Sequence, residues 1–561
     1  MGQLINRIKD KYILIFFIFL ILIFSLKYIN QLSVPTFLND EIGYLANAAL
    51  LSGKDWSGIT RISAYYSYGY SIVLVPLFLL IKNTSHLYKA IILLNVFFYV
   101  VSYYLSFITV KDLFKKIDSR IIAFVCGIAS LYAANIYNVN YAWVEPLLYL
   151  VYCLLIYQLN QIYKTDKNKN IILFSFLLVF MYIIHQRTVG IVIVGCLCVI
   201  CLYLNKTIDK KNMFIFFLSI VSFMVVVLLL KQYVKGYLWS NAVTEKIANT
   251  NDYAGQITKI IAIIQSPKLI WNLIRGIIGK YYYLVISTGS IVTFGIIKII
   301  KEIKMTFIDK KQIHVVYLFM LLSLFILMTT SSVFFITAER FDTVLYGRYS
   351  EFAMSPLFIC GMIPFIKKDF SLKDIIINVG ILLIAYFSTK GFLSGTKNYI
   401  FPCTINASLF YDRATQAFAF NRYLFVGVIL FIIVYFFMTR NLKIVKIIAS
   451  IGLIVFWNMS VSSAMEQDKL LAQDNISQVK IIAESIKKDK PIYYIYEGNY
   501  EDNYPRWFIG DIQYMIPNRT IYLTTNIGDV DKLNNCYIIT YGNELKYKQL
   551  ESVIGYQLYE K

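Results

Sequence analysis

Carboxylates, guanidinium groups and phenols recur in this sequence in a few short polar stretches set between long apolar runs. The first, "NDEIGYLANAALLSG", holds Asp40, Glu41 and Tyr44, and "YYSYGYSIVLVPLF" follows with Tyr66 and Tyr70. "WVEPLLYL" contributes Glu145, and "HQRTVG" contributes His185 and Arg187. "ERFDTVLYGRYSEF" adds Arg340, Tyr346, Arg348 and Tyr349. A carboxylate can take the proton of a hydroxyl as that hydroxyl attacks an electrophilic carbon. Arginine presents a planar fork of donors that fits two phosphate oxygens and stays charged. Together these groups suit transfer from a phosphate leaving group to an acceptor hydroxyl. Each stretch also has a plain structural explanation. Asn39, Asp40 and Glu41 suit the first turn of a helix, and arginines and tyrosines at helix ends snorkel or form aromatic belts at bilayer surfaces. Asp40 and Tyr44, four apart, share a helix face, whereas Glu41 points about 100° away. Chemistry is favoured only if these distant stretches end at one face.

Whether they do depends on the apolar runs between them. Of the 561 residues, 58% are hydrophobic and only 16% are charged, against roughly 45–50% and about 25% in soluble domains. A water-soluble enzyme, a disordered chain and a secreted disulfide scaffold are excluded together. Runs of 17–25 apolar residues qualify as spanning helices, and about thirteen are present. They begin near Tyr12, Tyr88, Ile121, Pro146, Ile171, Thr188, Met213, Lys280, His314, Ser350, Asp374, Tyr423 and Ile444. The expected fold is therefore a polytopic α-helical membrane protein.

The net charge of +21 orients it. Basic clusters fall in every second loop: Lys9/Lys11, Lys115/Lys116, Lys164/Lys167, Lys210/Lys211, Lys301/Lys304, Lys367/Lys368 and Arg440/Lys443. Cytoplasmic loops carry this bias, so the N-terminus is expected inside and the C-terminus outside. The partner of the basic excess is the bilayer, with no nucleic acid required. The first run, Tyr12 to Tyr28, lacks a small-residue cleavage site and reads as an uncleaved anchor.

All the stretches named above then lie on the outer side, together with a polar tail. Residues 1–464 are expected to form the membrane domain and residues 465–561 a small extracytoplasmic α/β domain. The tail alternates helix and strand ("PIYYIYE", "YPRWFIGDIQYM", "TIYLTT", "CYIITYG", then a helix "ELKYKQLESVI" and a final "YQLYE"), which predicts a mainly parallel sheet. It carries no phosphate loop, glycine fingerprint or metal spacing, and suits a cap or acceptor-docking module. Cys196, Cys198 and Cys201 sit inside an apolar run and read as packing residues. Cys403 and Cys536 fall outside the membrane and could pair.

The motifs "DEIGYLANA", "YYSYGYSIVLVPLF", "WVEPL", "HQRTVG" and "YGRYSEFAMSPL" resemble the GT-C superfamily of membrane glycosyltransferases. The nearest likeness is to protein O-mannosyltransferases and the aminoarabinose transferase that modifies lipid A. The segment after the first outer loop departs from the family, which often has prolines around its Gly-Tyr where Tyr68 and Ser71 stand here. The resemblance implies an inverting transfer of a sugar from a polyprenyl-phosphate donor to an envelope glycan, lipid or protein. It would occur on the outer face of a bacterial cytoplasmic membrane. It makes Asp40 the base and Glu41 its catalytic neighbour, with Arg187 and Arg348 on the donor phosphate. Tyr44, Tyr66, Tyr70, Glu145, His185, Arg340, Tyr346 and Tyr349 would line the substrate site. No cofactor is required, although paired carboxylates can hold a divalent metal. The competing readings are a lipid-linked sugar flippase, which would place charge near the bilayer midplane, and a polysaccharide polymerase or ligase.

Overall fold

The computed structural model describes residues 9–32, 34–35, 39–63, 65–165, 168–239, 256–308, 314–337, 341–367, 371–393, 403–412, 417–439, 443–496, 504–553 and 555–561. The apolar runs form helices: α1 (Asp10–Leu26), then α2 (Asn39–Leu51), α3 (Gly69–Leu80), α4 (Thr84–Leu113) and α5 (Ser119–Ser130). Next come α6 (Glu145–Thr165), α7 (Asn168–Ile184), α8 (Val189–Leu204), α9 (Lys210–Val234), α10 (Pro267–Ser287) and α11 (Ile291–Ile308). The series closes with α12 (Val315–Phe334), α13 (Glu351–Lys367), α14 (Leu372–Leu393), α15 (Phe420–Thr439), α16 (Lys443–Ser485) and α17 (Tyr504–Met515).

Each expected span begins on or beside one of these helices. Among the described residues, six are long and apolar enough to cross a bilayer on length and composition alone. They are seven if the sharply bent pair Gln256–Gln265 and Pro267–Ser287 counts as one. This is a multi-pass membrane protein. Helix α9 shows why lipid is its solvent: Leu218, Val221, Val225, Val226 and Leu229 all face outward, an apolar surface that water would not tolerate.

The span expected from Lys280 is not one helix. Helix α10 stops at Ser287, Gly289 and Ser290 take left-handed backbone (φ 54° and 66°), and α11 starts at Ile291. A break inside an apolar environment must satisfy its freed carbonyls. Trp457 Nε1 donates to Ser287 O at 2.8 Å, and Ser290 N donates to Val285 O at 2.8 Å.

Helix α16 is one 43-residue helix. It has no proline, so nothing stops it at the membrane surface, and it runs through residue 465 into the tail. The tail then builds a five-stranded sheet from β1 (Ile492–Ile495), β2 (Ile521–Thr524), β3 (Tyr537–Tyr541), β4 (Lys548–Val553) and β5 (Tyr556–Glu560). Its order is β2-β1-β3-β5-β4. β1 pairs in parallel with β2 and β3, while β5 runs antiparallel to both β3 and β4. The expected helix "ELKYKQLESVI" is instead strand β4, because pairing with β5 and burial of Leu550 and Val553 outweigh local helix preference. Cys403 and Cys536, which the sequence would have allowed to pair, form no disulfide with each other; both thiols are buried.

Helices α11 and α13 touch backbone to backbone. A Cβ on Gly361 would lie 2.0 Å from Ile291 O, and one on Gly295 would lie 1.9 Å from Leu357 O. Overpacking of this kind costs about 1–3 kcal/mol or more. Gly361→Leu is therefore expected to lower the melting temperature of the detergent-purified protein. Gly380→Ala in α14, where a Cβ meets nothing within 4 Å, should be neutral or slightly stabilising.

Candidate active site

Helix α2 runs from Asn39 to Leu51, with Asn39, Asp40 and Glu41 in its first turn as the sequence suggests. Its third turn fixes the following loop: Asn47 Nδ2 donates to Tyr66 O at 2.9 Å, and Trp239 Nε1 donates to Asn47 Oδ1 at 3.2 Å. The Tyr66 ring then lies directly on Gly43, where a Cβ would come within 2.0 Å of it. That close approach lets Tyr66 OH donate to Asp40 Oδ1 at 3.0 Å. Tyr44 packs edge-on against both Tyr66 and Tyr70, with centroids 5.4 and 5.9 Å apart. Tyr70 itself turns inward and donates to Asn95 Oδ1 at 3.0 Å.

The second oxygen of Asp40 belongs to an ionic cluster. Arg348, in the turn before α13, donates from Nη1 to Asp40 Oδ2 at 2.7 Å. The same guanidinium grips Glu145 with two bonds, Nε to Oε1 at 2.7 Å and Nη2 to Oε2 at 3.2 Å. Arg187, in the three-residue turn between α7 and α8, reaches Glu145 Oε1 from Nη2 at 3.0 Å. Both arginines lie over aromatic faces, Arg348 on Trp143 at 3.9 Å and Arg187 on Tyr349 at 4.3 Å. Arg348, Arg187 and Glu145 side chains are at most 4% exposed, while Asp40 is 31% exposed. Burial works against the Arg348 charge, but Glu145 and then Asp40 outweigh it and hold the guanidinium well above its ordinary pKa. His185 moves the other way: burial first, then Arg187 and Arg348, keep its imidazole well below the usual range. It is neutral, and its Nδ1 accepts from Arg187 N at 3.2 Å. Burial, with Asp40 and Glu145 adding, likewise holds the Tyr44 phenol protonated.

A small cleft of about 30 Å³ opens beside this cluster, walled by Asp40, Tyr44, Tyr66, His185 and Tyr349. Among the described residues, Asp40 is the one carboxylate on its wall. Sequence reasoning missed Tyr65, Gln186 and Phe334, which also line it, and Trp143, the platform for Arg348. Lys231 and Lys235 stand 5.4 and 5.9 Å over the Tyr65 ring, near the mouth. Of the expected residues, Tyr346 packs against Tyr349 at 4.9 Å but lies behind the wall. Arg340 lies outside the described residues.

Glu41 faces away from the cleft. Its Oε1 accepts from Tyr88 OH at 2.6 Å and from Ala142 N at 2.7 Å, anchoring α2 to α4 and to the strap before α6. The C-terminal domain docks on the same side. Tyr514 OH donates to Thr84 O at 2.8 Å, and Trp56 Nε1 donates to Pro517 O at 3.0 Å. Burial, and then the Glu41 charge, push Asp511 of α17 well above the normal carboxyl range. Among the described residues, no three His, Cys, Asp or Glu side chains gather closely enough to share a metal ion.

Glu145 compensates two buried guanidinium groups, whereas Asp40 is partly solvated. Removing one partner of a buried ion pair costs about 3–5 kcal/mol. Glu145→Gln is expected to lower thermal stability by that order, and Asp40→Asn by much less. Equal melting temperatures for the two variants would contradict this division.

No protein-family model and no curated protein matches the sequence. Among solved structures, ArnT from Cupriavidus metallidurans bound to undecaprenyl phosphate is similar, with a TM-score of 0.52 at 9% identity over 97% of both chains. Its apo state gives 0.51 at 10% identity, again over 97% of both. The apo oligosaccharyltransferase of Archaeoglobus fulgidus gives 0.46 at 8% identity, over 96% of this chain and 70% of that one. At such identity the likeness to ArnT is one of fold, and it runs nearly end to end.

Proposed function

We propose that the protein is an inverting glycosyltransferase that takes a sugar from a polyprenyl-phosphate donor and passes it to an acceptor hydroxyl. The observation that carries this reading is Asp40. It is the carboxylate on the cleft wall, and each of its oxygens is oriented by a neighbour, Arg348 on one and Tyr66 on the other. Each oxygen keeps a lone pair with which to accept the proton of an incoming hydroxyl.

In the reaction, the acceptor oxygen bonds to the anomeric carbon as the bond from that carbon to the phosphate oxygen breaks. The hydroxyl proton passes to Asp40, and the electron pair leaves with the phosphate. Attack from the face opposite the leaving group inverts the centre, as in base-assisted glycoside hydrolysis with the acceptor in place of water. Negative charge grows on the departing phosphate and calls for fixed donors. Arg348 is committed to two carboxylates, so its role is to aim Asp40. Arg187 holds only Glu145 through Nη2; its Nε and Nη1 are buried without a partner. Buried donors of that kind seek an acceptor, and a phosphate oxygen meets the need. No cofactor enters the scheme. The ArnT structure that holds undecaprenyl phosphate supports a lipid-phosphate donor on this fold.

The remaining assignments follow the same reading. Glu41 positions α2 through Tyr88 and Ala142. Tyr44, Tyr66, Tyr349 and neutral His185 shape the sugar site, backed by Tyr70 and Tyr346. The positive-inside bias puts the cleft on the outer face of the cytoplasmic membrane, with the thirteen-span count and an outward C-terminus. Residues 465–561 then form an outer module that helps present the acceptor, whether envelope glycan, glycolipid or protein.

A carboxylate base contributes about 10²–10⁴-fold. Asp40→Asn should fold and insert normally, lose transfer by that factor, and leave polyprenyl-monophosphate sugar to accumulate with one residue missing from a surface glycan. Mass spectrometry of lipid extracts and surface polymers reads both. An unchanged glycan in that variant overturns the proposal. Arg187→Gln should raise the KM for the donor while leaving that for the acceptor unchanged; an equal rise in both would contradict the phosphate role.

A further inference from the structure

Three helices connect the Asp40 site to a second feature at the opposite end of the bundle. Helix α6 starts at Glu145 and ends beside Lys164; α13 starts just after Arg348 and ends at Lys367; α12 runs from His314 to Phe334. At 1.5 Å per residue these helices separate the two ends by about 25–30 Å. At the far end lies a cleft of about 560 Å³ between the ends of α4, α6, α11, α12 and α13.

Lysines at such loops are expected from the charge bias alone. Two features go beyond it. The first is charge balance. Asp112 and Glu302, the acids of the cleft, are already taken: Lys164 Nζ is 2.5 Å from Asp112, and Lys298 Nζ is 3.0 Å from Glu302. Lys115, Lys116 and Lys367 remain exposed around the cleft with no acidic partner among the described residues. The second is the inner wall, which is aromatic. His314 stacks between Tyr163 at 4.6 Å and Tyr317 at 4.8 Å, and its Nδ1 is buried without a partner. Surplus cations at the rim with a flat, half-apolar wall below match a ligand that is anionic at one end and greasy at the other.

We infer that this cleft binds the phosphate headgroup of an anionic phospholipid, with Lys115, Lys116 and Lys367 on the phosphate and the Tyr163–His314–Tyr317 stack against the glycerol and upper acyl region. Basic pockets between membrane helices recognise headgroups in this way. The site is separate from the transfer reaction, sharing none of its residues. A free phosphate presents the same oxygens without the chains, so the two sources can be told apart.

The test uses the full-length protein in detergent, followed by thermal melting and native mass spectrometry. Phosphatidylglycerol, phosphatidylcholine and inorganic phosphate are added in turn. Phosphatidylglycerol is expected to raise the melting temperature and remain bound, and phosphatidylcholine to do neither. The triple variant Lys115→Gln, Lys116→Gln, Lys367→Gln, all at exposed positions, should melt like the parent without lipid. It should lose phosphatidylglycerol affinity on the order of 100-fold, the scale expected for three lysines at an anionic headgroup. Inorganic phosphate reproducing the full shift would support the phosphate site and name a soluble anion as its occupant. Equal stabilisation by phosphatidylcholine, or an undiminished phosphatidylglycerol shift in the triple variant, overturns the inference.

Discussion

Two guanidinium groups buried beside one carboxylate govern the outer end of this protein. Arg348 and Arg187 are stripped of water at the edge of a hydrophobic bundle, and Glu145 compensates both. A buried charge without a counter-charge and hydrogen bonds is costly enough to unfold its surroundings. The start of α6, the turn between α7 and α8, and the turn before α13 must therefore meet at one point. Asp40 adds the fourth charge and ties α2 to the same place through Arg348. The cluster leaves one acid, Asp40, at the edge of the cleft, while Glu145 is sealed behind it. The two carboxylates thus differ in solvent access: Glu145 is sealed and Asp40 is 31% exposed.

Much of this was legible in the sequence because lipid is an unforgiving solvent. Backbone groups in a bilayer must bond within their own helix, so long apolar runs mark helices with little ambiguity. Asp40, Glu145, Arg187 and Arg348 stood out because charged groups at the ends of such runs have few ways to be satisfied. Their mutual contacts were not legible, since they join residues up to 308 positions apart. Glu41 illustrates the limit. Adjacent to Asp40 in sequence, it lies on another helix face, and only the fold reveals its bonds to Tyr88 and Ala142. The break at Gly289 and Ser290 was hidden because small residues continue an apolar run as readily as they interrupt it. Strand β4 was misread for a related reason: at a sheet edge, its polar alternation resembles an amphipathic helix, and the partner strand decides.

The tail gains its meaning from where it docks. Helix α16 carries the chain out of the bundle without a joint, and α17 settles against α2, with Gly510 lying on Ile42 next to Glu41. The helix bearing Asp40 is thus held from behind by Glu41, Tyr88 and the tail domain, and from in front by Arg348 and Tyr66. In the proposed role as base, Asp40 would benefit from such two-sided support, because a displacement of an ångström at the reacting atoms costs orders of magnitude in rate.

Polarity of the whole bundle then explains why the two ends differ in chemistry. At the Asp40 end, positive charge is buried and neutralised, so it can act only on a ligand that displaces or joins a carboxylate. At the other end, Lys115, Lys116 and Lys367 are hydrated and uncompensated, so they attract any anion at long range but hold none tightly without help from the wall. Buried, paired arginine favours geometry and exposed lysine favours capture. The proposed transfer from a phosphate needs the first, because leaving-group oxygens must be met at fixed positions. Retention of a membrane lipid needs only the second.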